Sequence, residues 1–387
     1  VCWGKISDGR LLGTSGGTSV DSPKDHPDVT CDFGTVGGVD LTVKSVSVGY
    51  KHSCAILSND RVKCWGNNVD ARLGIGITTS DISQFAGDSL PYVELESATP
   101  TTPPFLAKEV VAGAKHSCAI TTGDEPKLYC WGNNDQGQAN VADTRTTIPR
   151  PRDAINFGFA PDGVVAYMPV SVSLGWSHTC AMVSPSDYTK PVVKCWGSNN
   201  KGQLGAISVG DRVAALQSPN AVVNFGLGRH AVQIVAGYES NCALLDNDEV
   251  KCWGSGDNGR LGNGATANVA STIDSVGVGC RDTSGSLQVC LKAKSLSLGT
   301  ASARHYCAIE KDFETVKCWG HNTQGQLGIP SVPSVPSTQE SSTPQDVDLK
   351  MLKSTDDTTL AASIVALTIN GGPWASADTW STEEADL

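Results

Sequence analysis

Residues His52–Gly66 read HSCAILSNDRVKCWG. Two short apolar runs, each with a cysteine, flank a polar turn at Ser58–Arg61. Runs of four to six residues broken by Asn, Asp or Gly are strand patterning, and two such runs around a tight turn make a hairpin. Cys54 and Cys64 then stand on opposite sides of that hairpin. Nearly the same phrase returns along the chain, so its reading decides the fold.

The tripeptide Cys-Trp-Gly occurs at Cys2–Gly4, Cys64–Gly66, Cys130–Gly132, Cys195–Gly197, Cys252–Gly254 and Cys318–Gly320. A polar turn and a GQLG-like phrase follow each one, as at Gly202–Gly205 and Gly325–Gly328. A second phrase, HSCAI or a close variant, stands ahead of five of them, with its cysteine at Cys54, Cys118, Cys180, Cys242 and Cys307. Just before it comes a short apolar run ending in Gly: VSVG, VVAG, VSLG, IVAG or LSLG. A repeat of this period points to a stacked architecture. The units centre on 52–66, 116–132, 178–197, 240–254 and 305–320. Each holds about four short strands, one small antiparallel sheet. Such a sheet cannot bury both faces alone. Radial stacking buries them and leaves only short edges, which is a β-propeller. A linear solenoid usually has shorter units and needs polar caps. The expected fold is all-β.

The phrases GYKHSCAILSNDRVKCWGNN (Gly49–Asn68) and WGSNNKGQLG (Trp196–Gly205) resemble the regulator-of-chromosome-condensation (RCC1) repeat, most of all its cysteine-containing variant in secreted and cell-surface proteins. GDSLPYVELES from Gly87 resembles the linker of that variant. The resemblance spans Val1 to about Gly328 and implies a propeller, commonly of seven blades. The repeat count here is six. Residues 1–372 are therefore expected to form one propeller, with a C-terminal tail at 373–387.

The chain starts inside a unit, at VCWG, without the preceding half. A mature chain that has lost a signal peptide reads this way, as does a trimmed one. The tail supplies a candidate for the other half. IVALTINGG (Ile364–Gly372) can be laid on Ser53–Arg61, with Val365 in the cysteine's place. A split unit of 364–372 plus 1–4 would close the ring and cover two open strand edges. The strand Ile364, Val365, Ala366, Leu367, Thr368 and Ile369 can equally enter the next molecule, which gives a head-to-tail fibre.

Apolar residues make up 39% of the 387 and charged residues 18%, enough to bury a core. The net charge of −11 gives no basic footprint for nucleic acid. No apolar run is long enough to span a membrane.

The fourteen cysteines pair naturally as Cys54–Cys64, Cys118–Cys130, Cys180–Cys195, Cys242–Cys252 and Cys307–Cys318, with Cys280–Cys290 in an inter-unit insertion and Cys2–Cys31 completing the set. Zinc sites want close CxxC knuckles, and none occurs. One nucleophile is enough for catalysis, so near-copies in every unit argue for architecture. Disulfides are the expected state. Each closes a loop of about ten residues and stabilises by roughly 2–3 kcal/mol in the chain-entropy model. They place the protein in an oxidising compartment, secreted or at the cell surface.

His52, His116, His178 and His305 recur at one place per unit, where the fourth unit has Ser240. In a ring they would be spread apart, so they read as structural hydrogen-bonding groups and not metal ligands. The tryptophans Trp3, Trp65, Trp131, Trp196, Trp253 and Trp319 read as core filling more than as a ligand-stacking ring. GNNDQGQ and GSGDNGRLGNG lack the order of a calcium loop and fit turn chemistry. GTSGGTS (Gly13–Ser19) has no following Lys and helix, so it is no phosphate loop. No cofactor, metal or catalytic set is expected, and the chain reads as non-enzymatic.

SATPTTPP (Ser97–Pro104) and PSVPSVPSTQESSTP (Pro330–Pro344) are Ser/Thr/Pro-rich and read as extended linkers. In a secreted protein they can carry O-glycans, on Thr99, Thr101, Thr102, Ser331, Ser334, Ser337, Thr338, Ser341, Ser342 and Thr343. No N-glycosylation sequon occurs.

The family's nuclear nucleotide-exchange role implies a reducing compartment and chromatin contact, and disulfides with an acidic surface speak against both. The first expectation is an extracellular structural or adhesive propeller, a surface-coat module or a fibre protomer. The second is a soluble recognition module, an inhibitor or lectin that uses one propeller face. The expected partners are other proteins, copies of the chain, or glycans.

Overall fold

The computed structural model describes residues 31–79, 87–95, 105–140, 142–143, 145–160, 165–185, 190–205, 222–270, 287–299, 301–312, 315–323, 325–328 and 341–347, with short stretches at 4–5, 19–20, 163, 278 and 281–283. Five antiparallel sheets follow the repeated phrases and act as blades. The first is built from Val43–Val48, His52–Leu57, Val62–Gly66 and Tyr92–Val93. The second uses Ala107–Ala112, His116–Thr121, Leu128–Asn133 and Thr147–Ile148. Tyr167–Leu174, His178–Pro185 and Val192–Gly197 make the third. Ala231–Ala236, Ser240–Leu245 and Val250–Gly254 make the fourth, and Val269 bridges to Gly254 in the outer place. Ala293–Ser297, His305–Glu310, Val316–Gly320 and Ser341–Asp346 make the fifth.

The first strand of each blade touches the first strand of the next, so these strands line the axis of a propeller. The second strands are buried along their whole length in the second and fourth blades, because both faces of each sheet meet a neighbouring sheet. That is why HSCAI-like phrases are nearly continuous in small and apolar residues. Each first strand carries a register shift at one place, next to Ser45, Glu109, Ser171, Gln233 or Ser295. A bulge bends and twists the strand there.

The GQLG turns lock each blade to the next. Gly74, Gly205 and Gly262 adopt positive φ, and a Cβ on any of them would lie 2.5–2.9 Å from the indole nitrogen of Trp131, Trp253 or Trp319. Asn68, Asn134, Asn199 and Asn322, all buried, hold the turns by accepting backbone N–H bonds at Leu73, Ala139, Leu204 and Leu327. The Asn/Gly-rich phrases are thus turn chemistry, as the sequence implied.

A short ladder joins Gly4–Lys5 to Ser19–Val20, with Gly4 opposite Val20. In the second blade Gly132 stands opposite Ile148 in the same way, so Gly4–Lys5 and Ser19–Val20 pair as the third and fourth strands of a blade do. The proposed inner half of that unit, Ile364–Ile369, lies outside the described residues, as does the tail 373–387. The Ser/Thr/Pro tract departs from the linker expectation at its end. Ser341, Ser342, Thr343 and Pro344 belong to the edge strand Ser341–Asp346. The open edge of Val316–Gly320 needs a partner, and Pro344 falls in a register shift where no ladder donor is required. The rest of that tract, and Thr99, Thr101 and Thr102, lie outside the described residues.

Candidate functional site

Five cysteine pairs stand at disulfide distance in the predicted combinations, with Cα–Cα separations of 4.0–4.1 Å. Leu57 N–H donates to Arg61 O, which makes 57/61 a hydrogen-bonded pair and puts Cys54 and Cys64 in the closer, non-hydrogen-bonded register. Cys31 and Cys290 are also disulfide-bonded, and their expected partners Cys2 and Cys280 lie outside the described residues.

The recurring histidines join blade to blade. His52 Nε2 lies 2.7 Å from Ser117 Oγ, His116 Nε2 2.8 Å from Thr179 Oγ1, and His178 Nε2 2.8 Å from Asn241 Oδ1. Ser240 Oγ continues the pattern at 2.8 Å from the Tyr306 hydroxyl. The first residue of each phrase thus bonds the second residue of the next. The receiving groups donate onward: Ser117 to Arg72 O, Thr179 to Gln138 O and Asn241 to Gln203 O. Those oxygens therefore accept from the imidazoles, which fixes the Nε2–H tautomer. Burial pushes His116 down to about 3 and His178 to about 4, and holds His52 well below its ordinary value. The Nδ1 atoms of all three are buried without partners, so a second proton would have no acceptor.

The indoles of Trp131, Trp253 and Trp319 donate to Arg72 O, Gln203 O and Arg260 O of the preceding blade. All three are fully buried, which rules out a ligand-stacking ring. At the far ends of the relay, the side chains of His305 and Ser53 have no hydrogen-bond partner among the described residues. Both lie on the sides of the fifth and first blades that face no described blade, and Val43 and Val48 of the first blade are exposed.

The loops that join first to second strands share one rim of the axis. Tyr50 N–H donates to Gly113 O, Trp176 N–H to Gly237 O and Tyr238 N–H to Ala303 O, each in the next blade. These bonds form a collar and hold three aromatic rings over the mouth. A Cβ on Gly49 would lie 2.3 Å from Gly113 O, so the glycine of VSVG is needed for that approach. The Trp176 ring is 5.3 Å from Tyr50 and 5.0 Å from Tyr238. Lys51 lies over Tyr50 at 5.5 Å, Lys115 over Trp176 at 5.4 Å and Arg304 over Tyr238 at 4.3 Å. Tyr50 is 45% exposed, and Trp176 and Tyr238 are half-buried.

Sequence reasoning passed over these rings. Their signal was an aromatic directly after the glycine in GYKHSC, GWSHTC and GYESNC. It also passed over a Phe in DFG, NFG and NFG, where Phe33, Phe157 and Phe225 meet Trp65, Trp196 and Trp253 edge-on. Buried Lys63 and Lys194 pin two of those loops through Phe33 O and Phe157 O. No cluster of metal-ligating side chains occurs among the described residues.

The model of the regulator of chromosome condensation (RCC1) repeat matches residues 43–71, 107–138, 170–203 and 231–260, one match per blade for the first four. The chain is 25% identical over 323 residues to the human E3 ubiquitin-protein ligase HERC2, covering 83% of this chain and 6% of the ligase. It is 27% identical over 290 residues to the Arabidopsis thaliana ultraviolet-B receptor UVR8, covering 75% of this chain and 55% of the receptor. Thus the chain spans about half or less of these relatives' lengths. Prp20p of Saccharomyces cerevisiae, whose structure was described with its binding to Gsp1p and histones, superposes with a TM-score of 0.62 at 19% identity over 90% of this chain and 74% of that one. Human WBSCR16 gives 0.61 at 18% identity over 90% and 76%. At these identities the likeness shows the propeller fold.

Proposed function

Taking the chain as one built from RCC1 repeats, we propose that it works outside the cell as a non-catalytic recognition propeller that binds another protein through the rim carrying Tyr50, Trp176 and Tyr238. The observation that supports this is the collar. Backbone bonds between blades fix three aromatic rings at a solvent-facing mouth before any partner arrives. Preorganised aromatics lose little conformational freedom on binding, which is why they anchor interfaces. The disulfides support the extracellular setting, since such staples persist in oxidising compartments. The activities for which the relatives are named, ubiquitin ligation and ultraviolet-B reception, belong to proteins of which this chain matches a part.

Zero-length crosslinking of the purified, secreted chain to proteins of its native medium tests this reading. Crosslinks mapped by mass spectrometry to residues 49–51, 113–115 and 175–177 would support it. A crosslink map empty of other proteins would end it.

A structural or adhesive role is a second reading, favoured by the seam. The exposed first strand Val43–Val48 and the unpaired relay ends His305 and Ser53 make a slot for one unit. Filled by the chain's own tail, the slot closes a ring. Filled by a neighbour's, it makes a fibre. Negative-stain microscopy at high concentration separates the two, because discrete discs alone exclude the fibre.

A further inference from the structure

The collar's charges indicate what kind of protein segment it takes, an inference that rests on the recognition reading above. We infer that the mouth binds an acidic, apolar-interspersed segment of a partner, with Trp176 as the anchor and Lys51, Lys115 and Arg304 as the carboxylate-binding groups.

The charge pattern favours this occupant. The collar loops hold Lys51, Lys115 and Arg304 and a single carboxylate, Glu239. None of the three cations forms an ion pair with a carboxylate among the described residues. The chain as a whole carries −11, so a local excess of positive charge stands against the background. The opposite rim is different. There Lys44 pairs with Asp60, Arg61 with Glu94, Arg229 with Asp246, Lys292 with Glu249 and Lys311 with Asp248. The collar rim has pairs of its own, Arg72 with Asp70 and Lys201 with Asp257, but these leave Lys51, Lys115 and Arg304 available. A fourth cation, buried Arg260, sits 5.9 Å from the Tyr238 ring and adds to the positive field.

The apolar part of the occupant follows from what lies under the cations. Each cation stands over a ring face, so a carboxylate bound there brings its neighbours onto Tyr50, Trp176 or Tyr238. Half-buried Leu298 continues the apolar surface into the axial channel. A segment alternating Glu or Asp with Leu or Phe meets both demands. A neutral glycan would use the rings and leave the cations idle.

The test is fluorescence anisotropy of the full chain with a short labelled peptide alternating Glu and Leu. Saturable binding that weakens as salt rises is expected. Lys51→Glu, Lys115→Glu and Arg304→Glu combined should weaken it on the order of 100-fold, and Trp176→Ala about tenfold. Trp176→Phe, which keeps an anchor, should retain most of the affinity, and an unchanged thermal midpoint confirms that the variants fold. Equal binding of a Lys/Leu peptide, or unchanged affinity in the triple variant, overturns the inference. Tighter binding of a sulfated oligosaccharide that displaces the peptide overturns it in favour of a polysaccharide. Crosslinks that map to the collar rim, in a chain that does not bind the Glu/Leu peptide, sink this inference while the recognition reading stands. An empty crosslink map sinks both.

Discussion

His116 of the second blade and Thr179 of the third are 2.8 Å apart, and Thr179 passes the bond on to Gln138 O. This relay is the means by which separate sheets become one ring. Replacing His116 by Ala leaves the buried Thr179 hydroxyl without its donor and opens a void. A loss of about 1–3 kcal/mol in unfolding free energy is expected, read by urea denaturation. His116→Asn should recover part of it, because an amide N–H can replace the imidazole donor.

The same histidines set the acid limit of the fold. Their folded-state pKa values lie below the unfolded value, at about 3 for His116 and about 4 for His178. The unfolded chain therefore takes up protons first as pH falls. Stability from this source is complete above the ordinary histidine range of about 6.5 and is lost as pH drops from there toward 3–4. The urea midpoint should fall steadily across that window, and a flat profile would contradict the relay.

Glu109 acts in the opposite direction. Burial pushes its carboxyl up to about 7, and only the Val172 backbone and Lys108 oppose the rise. Its Oε1 is buried without a partner. Gln233 fills the same slot two blades on, accepting from Leu296 N–H at 2.8 Å and donating to Leu296 O at 2.9 Å. A protonated Glu109 can imitate that pair, and a carboxylate cannot. Its contribution is full below the unfolded carboxyl value and is lost as pH rises through about 7. Glu109→Gln should raise the unfolding midpoint near about pH 8 and leave it unchanged near about pH 4.

Gly262 has φ +65°, and a Cβ there would sit 2.8 Å from Trp319 Nε1. Gly262→Ala carries the left-handed penalty of about 1 kcal/mol or more and also pushes the indole off its bond to Arg260 O. Gly325 also has positive φ but an open Cβ position. Gly325→Ala should show the backbone penalty alone, so comparing the two midpoints separates strain from the lost interlock.

The sheets, their order and the cysteine pairs were legible because each is local. A hairpin places Cys118 opposite Cys130 whatever lies beyond it. The histidines were legible only in part. Their repetition said structural, but sequence spacing could not say that His52 reaches across to Ser117, since that contact exists only once two blades stack. The collar was illegible for the same reason: Tyr50 and Trp176 stand far apart in sequence and meet only once the blades are stacked. The edge strand Ser341–Asp346 was hidden by composition, because a Ser/Thr/Pro run reads as linker until an open sheet edge recruits it.

The bridges bear on both the scaffold and the compartment assigned to it, so their state is the most direct test. Native, unreduced chain should be digested and its peptides mapped by mass spectrometry. The expected result is covalent linkage of Cys54 to Cys64, Cys118 to Cys130, Cys180 to Cys195, Cys242 to Cys252 and Cys307 to Cys318. Free thiols at these positions in material taken straight from its source would contradict the extracellular propeller and the role assigned to its rim.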